Sequence, residues 1–154
     1  YKGIPYWEQS PIHQDDPEFD LYLIAYKSYL TTYVDMATNP LIVEIADHDP
    51  YHLYIMMNRD TAEKKGLQHG ADVWLESRLA KVPGKVTLSE GIHPQTVAVS
   101  QGFCRWTKHP VAEGKGVQYN PHLPIKLSYS GMLGGSMETA ARVKIYKREK
   151  GAIQ

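Results

Sequence analysis

The stretch Asn-Arg-Asp-Thr-Ala-Glu-Lys-Lys-Gly-Leu-Gln-His-Gly-Ala-Asp-Val-Trp-Leu-Glu-Ser, residues 58–77, sets the architecture of this chain. Asn58 or Asp60 can cap a short helix that runs through Lys65, and Gly66 suits the left-handed conformation in which helices end. A second glycine follows, and then the apolar–polar alternation of a strand. Catalytic groups are scarce in this helix–turn–strand unit. It therefore indicates a chain whose role is to shape a surface for a large ligand.

Further short strands are predicted by runs of alternating or branched apolar residues. We expect strands at 21–26, 51–57, 73–77, 85–88, 96–100 and 141–147. The segment 41–45 is short, branched and apolar, and Asn39-Pro40 before it marks a boundary. Turns are expected at Pro83-Gly84 and over 91–94. Many short strands with one clear helix make a closed β-barrel the economical architecture.

Length and composition narrow the class of protein. The 154 residues fit one domain, and seventeen basic residues balance seventeen acidic ones. No global field therefore recruits nucleic acid or an anionic membrane, and an anionic ligand must be met by locally placed Lys or Arg. No apolar run approaches the ~20 residues of a membrane span, so direct membrane insertion is not expected. The single cysteine, Cys104, excludes a disulfide framework or an iron–sulfur cluster held by this chain alone.

Segments at both ends of the chain are expected to lie outside the barrel domain. Residues 1–20 contain three prolines among several acids, which predicts an extended arm that Tyr6 and Trp7 anchor on another surface; a plain linker fits the composition equally well. We expect the barrel domain at 21–147 and a tail at 148–154. The chain begins with Tyr1 rather than Met, so we expect it to be cut or processed from something longer.

Catalytic and metal-binding patterns are weak. The histidines are scattered, His122 among them, and we interpret them as solvated loop side chains; Pro50 prevents one helix from presenting both His48 and His52, so no metal site is expected. Cys104 has basic neighbours that can activate a thiol, but a lone cysteine is more often inert. Gly135-Ser136 resembles the self-cleaving bond of the aspartate decarboxylases, although a serine in a glycine-rich turn is ordinary.

Polar loops follow several of the predicted strands. The residues concerned are Lys27, Ser28, Thr31, Thr32 and Asn39 after the first strand, and Gln101, Asn120 and Lys126 after later ones. Amides and hydroxyls can satisfy the edge of a heteroaromatic ring, while lysines can face phosphate. Loops after strands are also polar for solvation alone, so the residues by themselves leave a ligand surface and simple solvation open. The loop 103–121 is too long for mere connection, which favours a functional role.

Taken in order, the motifs of this chain resemble the C-terminal domain of the molybdopterin oxidoreductases, the dimethyl sulfoxide reductase superfamily. The resemblance covers roughly residues 21–147, and the Asn39-Pro40-Leu41 form is similar to the thiosulfate and polysulfide reductase branch. The motifs that carry it are Leu23-Ile24-Ala25-Tyr26-Lys27, Asn39-Pro40-Leu41, Glu44-Ile45, Asn58-Arg59-Asp60-Thr61-Ala62, Lys65-Gly66-Leu67, Gly70-Ala71-Asp72-Val73, Gly91-Ile92-His93-Pro94-Gln95-Thr96-Val97, Asn120-Pro121-His122-Leu123 and Arg142-Val143-Lys144-Ile145.

This resemblance implies a mainly β fold, a six-stranded double-psi β-barrel with one or two short helices. It implies a domain that closes over the bis(molybdopterin guanine dinucleotide) cofactor of a molybdenum- or tungsten-dependent oxidoreductase. The cofactor-facing positions that it implies are Tyr26, Lys27, Ser28, Thr31, Thr32, Asn39, Gln101, Gly102, Phe103 and Asn120. The alternative is a non-enzymatic double-psi barrel that binds other proteins, as in the N-terminal domains of some AAA ATPases.

The same resemblance implies that catalysis belongs to a larger enzyme. Its metal ligand and the cysteines of its iron–sulfur cluster lie in domains that this chain lacks, so the chain alone is not expected to be catalytic. The implied partners are the remaining domains of the catalytic subunit and an electron-transfer subunit, in a prokaryotic enzyme that is either cytoplasmic or exported. Gly70-Ala71-Asp72 carries one extra residue relative to the family, and the next turn is expected late, at Pro83-Gly84, which puts the hairpin geometry in question.

Overall fold

The structure is a computed structural model that describes residues 4, 6–7, 9–13, 16–30, 37–103, 108–124 and 140–149. Within these residues six strands are present: β1 (Leu21–Tyr26), β2 (Ile55–Asn58), β3 (Asp72–Glu76), β4 (Lys81–Ser89), β5 (Thr96–Ser100) and β6 (Ala141–Lys147). Three short helices accompany them: α1 (Pro40–Asp47), α2 (Pro50–Leu53) and α3 (Arg59–Lys64). Single 3₁₀ turns form at Pro11–His13 and Asn120–His122.

The six strands close into a barrel in the order β1-β5-β2-β4-β3-β6. The pairs β1–β5 and β2–β4 are parallel, and the other four neighbouring pairs of the barrel are antiparallel. β5 lies between the consecutive strands β1 and β2, while β2 lies between the consecutive strands β4 and β5. The β1–β2 connection therefore crosses over β5, and the β4–β5 connection crosses over β2. These two crossovers are the double-psi arrangement. The predicted six-stranded double-psi barrel is confirmed.

Alternate residues of the strands fill the interior of the barrel. Leu21 and Leu23 of β1, Ile55 and Met57 of β2, and Leu75 of β3 are all almost fully buried. Each such side chain contributes about 1.5–3 kcal/mol through removal of apolar surface from water. A second, smaller apolar cluster joins α1 to the segment after β5. In the described segments, no helix combines the length and the apolar character needed to cross a membrane.

The unit 58–77 forms as its sequence predicts. Asn58 caps α3, because its Oδ1 accepts the backbone N–H groups of Asp60 at 3.1 Å and Thr61 at 3.4 Å. Its Nδ2 donates to the Ile92 carbonyl at 3.0 Å, which ties the cap to the turn before β5. Gly66 follows the helix with φ of 66°, the left-handed conformation expected there. The extra residue at 70–72 lies in the turn before β3 and leaves that strand intact.

Two helices lie where the sequence predicts none. The segment 41–45 belongs to α1, and the strand predicted at 51–57 begins only at Ile55 because α2 takes up its first residues. In both helices a side-chain cap precedes a proline in the first turn: Asn39 accepts from the N–H of Leu41, and Asp49 accepts from the next N–H after its proline. Proline suits that position, since its missing N–H would be unpaired there anyway.

The turn predicted at Pro83-Gly84 is wrong, because both residues lie inside β4. The hairpin instead turns at 78–80, where Ser77 Oγ accepts the N–H groups of Leu79 and Ala80 at 3.2 Å each. Over its first half β4 pairs with β3, and its pairing with β2 begins only at Val86. Pro83 therefore has a strand neighbour on one side only, which is why a residue without an N–H is tolerated there. Gly84 is required for packing, since a Cβ there would lie 2.8 Å from Ile55 Cδ1.

Candidate functional site

Two loops that are distant in sequence meet at one edge of the barrel. Because β1 and β5 are parallel, they end side by side, with Tyr26 opposite Ser100. The N–H of Gln101 donates to the Tyr26 carbonyl at 2.9 Å and so fastens the two strand ends together. The structure therefore brings the segments 26–28 and 101–103 into one place. Six of the ten positions implied by the resemblance lie in them.

Lys27 and Gln101 carry the exposed polar groups at this edge. An ammonium and an amide thus directly follow the ends of neighbouring strands, beside the backbone groups of both loops. Gly102 follows with φ of 98°, a conformation that side-chain-bearing residues rarely adopt. Its lack of a side chain leaves the backbone open to close approach. The described residues at this edge can offer a ligand hydrogen-bond donors, hydrogen-bond acceptors and the positive charge of Lys27.

Tyr26 uses its hydroxyl within the protein. The hydroxyl donates to the carbonyl of Tyr51, which lies in α2. Burial, followed by the nearby Asp49 carboxylate and the Tyr51 phenol, raises the pKa of Tyr26 to about 12. The phenol therefore stays protonated throughout the physiological range and holds α2 against the end of β1.

Ser28 and Phe103 are buried at the same edge. The Ser28 hydroxyl accepts the N–H of Leu30 at 3.0 Å and shapes the turn after β1. The Phe103 side chain is only 2% exposed, packs in the smaller apolar cluster with Val43 of α1, and meets the ring of His52 edge-to-face at 6.0 Å. A contact between Phe103 and a ligand would therefore have to use its backbone.

Asn39 and Asn120 are both exposed, but they lie on separate segments. Asn39 caps α1 through the bond from Leu41 N–H at 3.0 Å, so its presence has a structural explanation as well. Asn120 begins the 3₁₀ turn Asn120–His122, and its carbonyl accepts the N–H of Leu123 at 3.1 Å. Thr31, Thr32, Cys104 and Gly135-Ser136 lie outside the described residues.

His122 is a residue whose place the sequence interpretation missed. The expected solvated loop side chain is wrong: the residue is 1% exposed, and its Nδ1 lies 3.0 Å from Ser77 Oγ. Burial lowers the pKa of His122 to about 4, so the ring is neutral at pH 7. The expectation also fails for His52, which is buried. The order Asn120-Pro121-His122 carries no periodic pattern from which burial could be inferred.

An open groove of about 670 Å³ lies between α1 and the loop at 108–115. The Lys115 ammonium pairs with the Asp47 carboxylate of α1. Charges of both signs line the groove, at Glu44, Asp47, Lys108, Glu113 and Lys115. The mixture selects for no single ligand charge. Across the described ranges, no group of three or more His, Cys, Asp or Glu side chains is placed to hold a metal ion.

Fold and site together define a class: a double-psi β-barrel that presents polar loops where parallel strands end. Residues 21–122 match the family of the molydopterin dinucleotide binding domain, which is more than half of the chain. The chain therefore belongs to that family. This match confirms the resemblance to the molybdopterin oxidoreductases, and it supports a cofactor-binding barrel over a protein-binding module.

Two curated relatives agree with this assignment. The chain is 31% identical over 119 residues, 73% of its length, to the arsenate respiratory reductase molybdopterin-containing subunit of Shewanella sp. (strain ANA-3). It is 31% identical over 86 residues, 56% of its length, to the thiosulfate reductase molybdopterin-containing subunit of Salmonella typhimurium (strain LT2). The matched stretches span 14% and 11% of these two relatives, so the chain corresponds to a small part of each.

A solved structure supports the fold. Acetylene hydratase from Pelobacter acetylenicus superimposes with a TM-score of 0.60 at 16% sequence identity, covering 85% of this chain and 19% of that one. At this identity the likeness concerns the fold alone. The barrel described above is thus also found as one part of a larger chain.

Proposed function

We propose that this chain is the C-terminal cofactor-binding domain of a molybdenum- or tungsten-dependent oxidoreductase, and that it closes over the bis(molybdopterin guanine dinucleotide) cofactor of that enzyme. Membership of the molydopterin dinucleotide binding domain family supports this proposal, as do two relatives named as molybdopterin-containing subunits of reductases. Catalysis would belong to the parent enzyme. Its other domains would supply the metal ligand and an iron–sulfur cluster, and a further subunit would carry electrons.

The residues at the barrel edge fit such a cofactor in their chemistry. A pterin presents ring nitrogens and an oxo group along its edge, which amides and backbone N–H and C=O groups can match. A dinucleotide also carries phosphates, for which the Lys27 ammonium is a suitable partner in a chain with no net charge. Gly102, with φ of 98°, lets the backbone come close to a planar ring.

When bound, the cofactor supplies the redox chemistry, and the residues of this chain bind and orient it. Lys27 would neutralise phosphate charge, while the amides of Gln101 and Asn120 would set the hydrogen bonding of the ring edge. The buried layer beneath them, Phe103 against α1, would keep the loops rigid and water away from the site. Tyr26 would act indirectly, by holding α2 in place.

One observation carries the assignment of the site: the 2.9 Å bond from Gln101 N–H to the Tyr26 carbonyl, which places both loops at one edge. To test it, the protein at its natural length is purified, and bound guanine nucleotide and molybdenum or tungsten are quantified per polypeptide. We expect both in the unaltered protein. Lys27→Met should weaken retention roughly 10- to 100-fold, since a hydrogen bond involving a charged group contributes about 1.5–3 kcal/mol. Gln101→Leu should weaken it roughly 2- to 10-fold, since a neutral bond contributes about 0.5–1.5 kcal/mol.

Lys64→Met is the matched control, because it removes an exposed lysine elsewhere on the barrel. Lys64 ends α3, which follows β2, and β2 runs antiparallel to β5. It therefore lies near the start of β5 rather than at the edge where Gln101 stands. A natural-length protein without nucleotide or metal would overturn the proposed function. Equal retention in Lys27→Met, Gln101→Leu and Lys64→Met would overturn the site.

A further inference from the structure

Asn120 is an exposed residue held between two buried ones. Tyr119 before it is 7% exposed, and His122 after it is 1% exposed. The 3₁₀ turn joins them closely, since His122 N–H donates to the Tyr119 carbonyl at 3.0 Å. Pro121 fixes its own φ, which leaves this short segment little freedom. The direction of the Asn120 amide thus depends on how its buried neighbours are anchored.

Among the described residues, the side chain of His122 is held by a hydrogen bond with one hydroxyl group, that of Ser77. Ser77 Oγ already accepts the N–H groups of Leu79 and Ala80, both at 3.2 Å, so its lone pairs are engaged. Its proton is left for His122 Nδ1 at 3.0 Å, which is closer than the other acceptor, the Ala80 carbonyl at 3.5 Å. Nδ1 is therefore the acceptor, and the ring carries its proton on Nε2. One hydroxyl joins the β3–β4 hairpin to the turn that presents Asn120.

An apolar side chain at position 122 could be buried with a smaller free-energy penalty than histidine. In the described part of the chain the Nε2 atom of His122 is buried without a hydrogen-bond partner. Burial of an unpaired donor is unfavourable, and leucine would pack there without that penalty. The hydrogen bond between His122 Nδ1 and Ser77 Oγ explains why a histidine rather than an apolar residue lies here. Its contribution is thus directional, since it fixes the turn relative to Ser77.

We propose that His122 is a positioning residue which, through Ser77, aims the Asn120 amide at the pterin dinucleotide. This inference rests on the proposed function, because it takes Asn120 as a cofactor contact. His122 itself would not touch the cofactor. The Ser77–His122 pair would set how well Asn120 is preorganised for binding rather than add a contact of its own.

The test uses two nearly isosteric variants in the natural-length protein, His122→Asn and His122→Leu. The amide oxygen of asparagine can occupy the position of Nδ1 and accept from Ser77, whereas leucine offers only shape. We expect His122→Leu to retain roughly tenfold less guanine nucleotide per polypeptide, and His122→Asn to restore retention to within about twofold of the unaltered protein. Thermal unfolding of the same samples is measured in parallel.

A merely structural role predicts a different ranking. Leucine is the better buried residue, so His122→Leu should then unfold at a temperature at least as high as His122→Asn and keep at least as much cofactor. That result would overturn the inference. Ser77→Ala is the second variant, in case His122→Leu fails to fold. It should lower retention as His122→Leu does, and unchanged retention in a folded Ser77→Ala protein would also overturn the inference.

Asn120→Leu separates this inference from the proposed function. Loss of cofactor in Asn120→Leu together with full retention in His122→Leu would overturn the positioning role and leave the function standing. Full cofactor retention in Asn120→Leu, with losses in Lys27→Met and Gln101→Leu, would also overturn the positioning role of His122 and leave the function standing. Asn120 would then not be a cofactor contact, so its orientation would not affect binding. Absence of any nucleotide in the unaltered protein would instead overturn the function.

Discussion

Acid should weaken the folded barrel through His122. Burial of the ring lowers its pKa from 6.5 to about 4 in the folded state, so the unfolded chain takes up a proton at a pH where the folded chain does not. The contribution of the neutral His122 ring to the free energy of unfolding is fully present above about pH 6.5, and it is lost as the pH falls towards 4. The complete effect is roughly 3 kcal/mol, from about 1.4 kcal/mol per pKa unit. Between pH 7.5 and pH 5 the loss from this residue should be about 2 kcal/mol.

The assay is urea unfolding of the 154-residue chain at the two pH values, followed by tryptophan fluorescence. His122→Leu is the control, because every other titrating group is unchanged in it. The unaltered chain should lose about 2 kcal/mol more stability on acidification than His122→Leu does, a difference large compared with ordinary error. An identical pH dependence in the two proteins would refute the reasoning. So would a directly measured pKa of His122 above 6.

Three further changes probe other parts of the fold. Gly84→Ala should lower the free energy of unfolding by about 1–3 kcal/mol, because the new Cβ would lie 2.8 Å from the buried Ile55 side chain of β2. Gly91→Ala is the control: its new Cβ would lie 3.6 Å from Ser89 Oγ, so chemical unfolding should show a change within about 0.5 kcal/mol. Asn58→Ala should cost about 2 kcal/mol by the same assay, since it removes the α3 cap and a buried bond. Tyr26→Phe should accelerate amide hydrogen exchange in α2, which loses the bond to the Tyr26 hydroxyl; unchanged exchange would contradict the role given to that hydroxyl.

The strands were largely predictable because their signal is local. β1, β5 and β6 occupy the predicted residues. Buried residues alternate with more exposed ones along much of β1 and β6, whereas β5 is buried from Val97 to Ser100. β4 was harder, because Pro83-Gly84 has the composition of a turn. Its place within a strand depends on which neighbours pair with it and on the packing of Ile55 against Gly84, and neither is visible locally.

The helices α1 and α2 show where local reasoning failed. Their apolar and aromatic residues fit a strand as well as a helix over so few positions, and an Asn-Pro or Asp-Pro pair marks an extended boundary as readily as a cap. What favours the helix is packing with a distant residue: Phe103 lies in one apolar cluster with Val43 and Ala46 of α1. A contact between residues so far apart in sequence cannot be inferred from a local periodic pattern.

At the candidate site, the loops after β1 and β5 lie side by side, and their role in binding a cofactor stays a prediction. The meeting of the loops after β1 and β5 follows from parallel strands ending together, once the resemblance supplied the topology. The contacts that each side chain in these loops makes cannot be inferred from the topology. The Tyr26 hydroxyl, the Ser28 hydroxyl and the Phe103 ring all face the protein, because burial is decided by elements far away in sequence.

The unit 58–77 is more than a scaffold, because its last residue takes part in placing the site. Ser77 ends the stretch whose helix cap and left-handed glycine establish β3, and its hydroxyl then receives two hairpin N–H groups and gives its proton to His122. A change that shifts the register of β3 would therefore move Ser77, and with it the turn that carries Asn120.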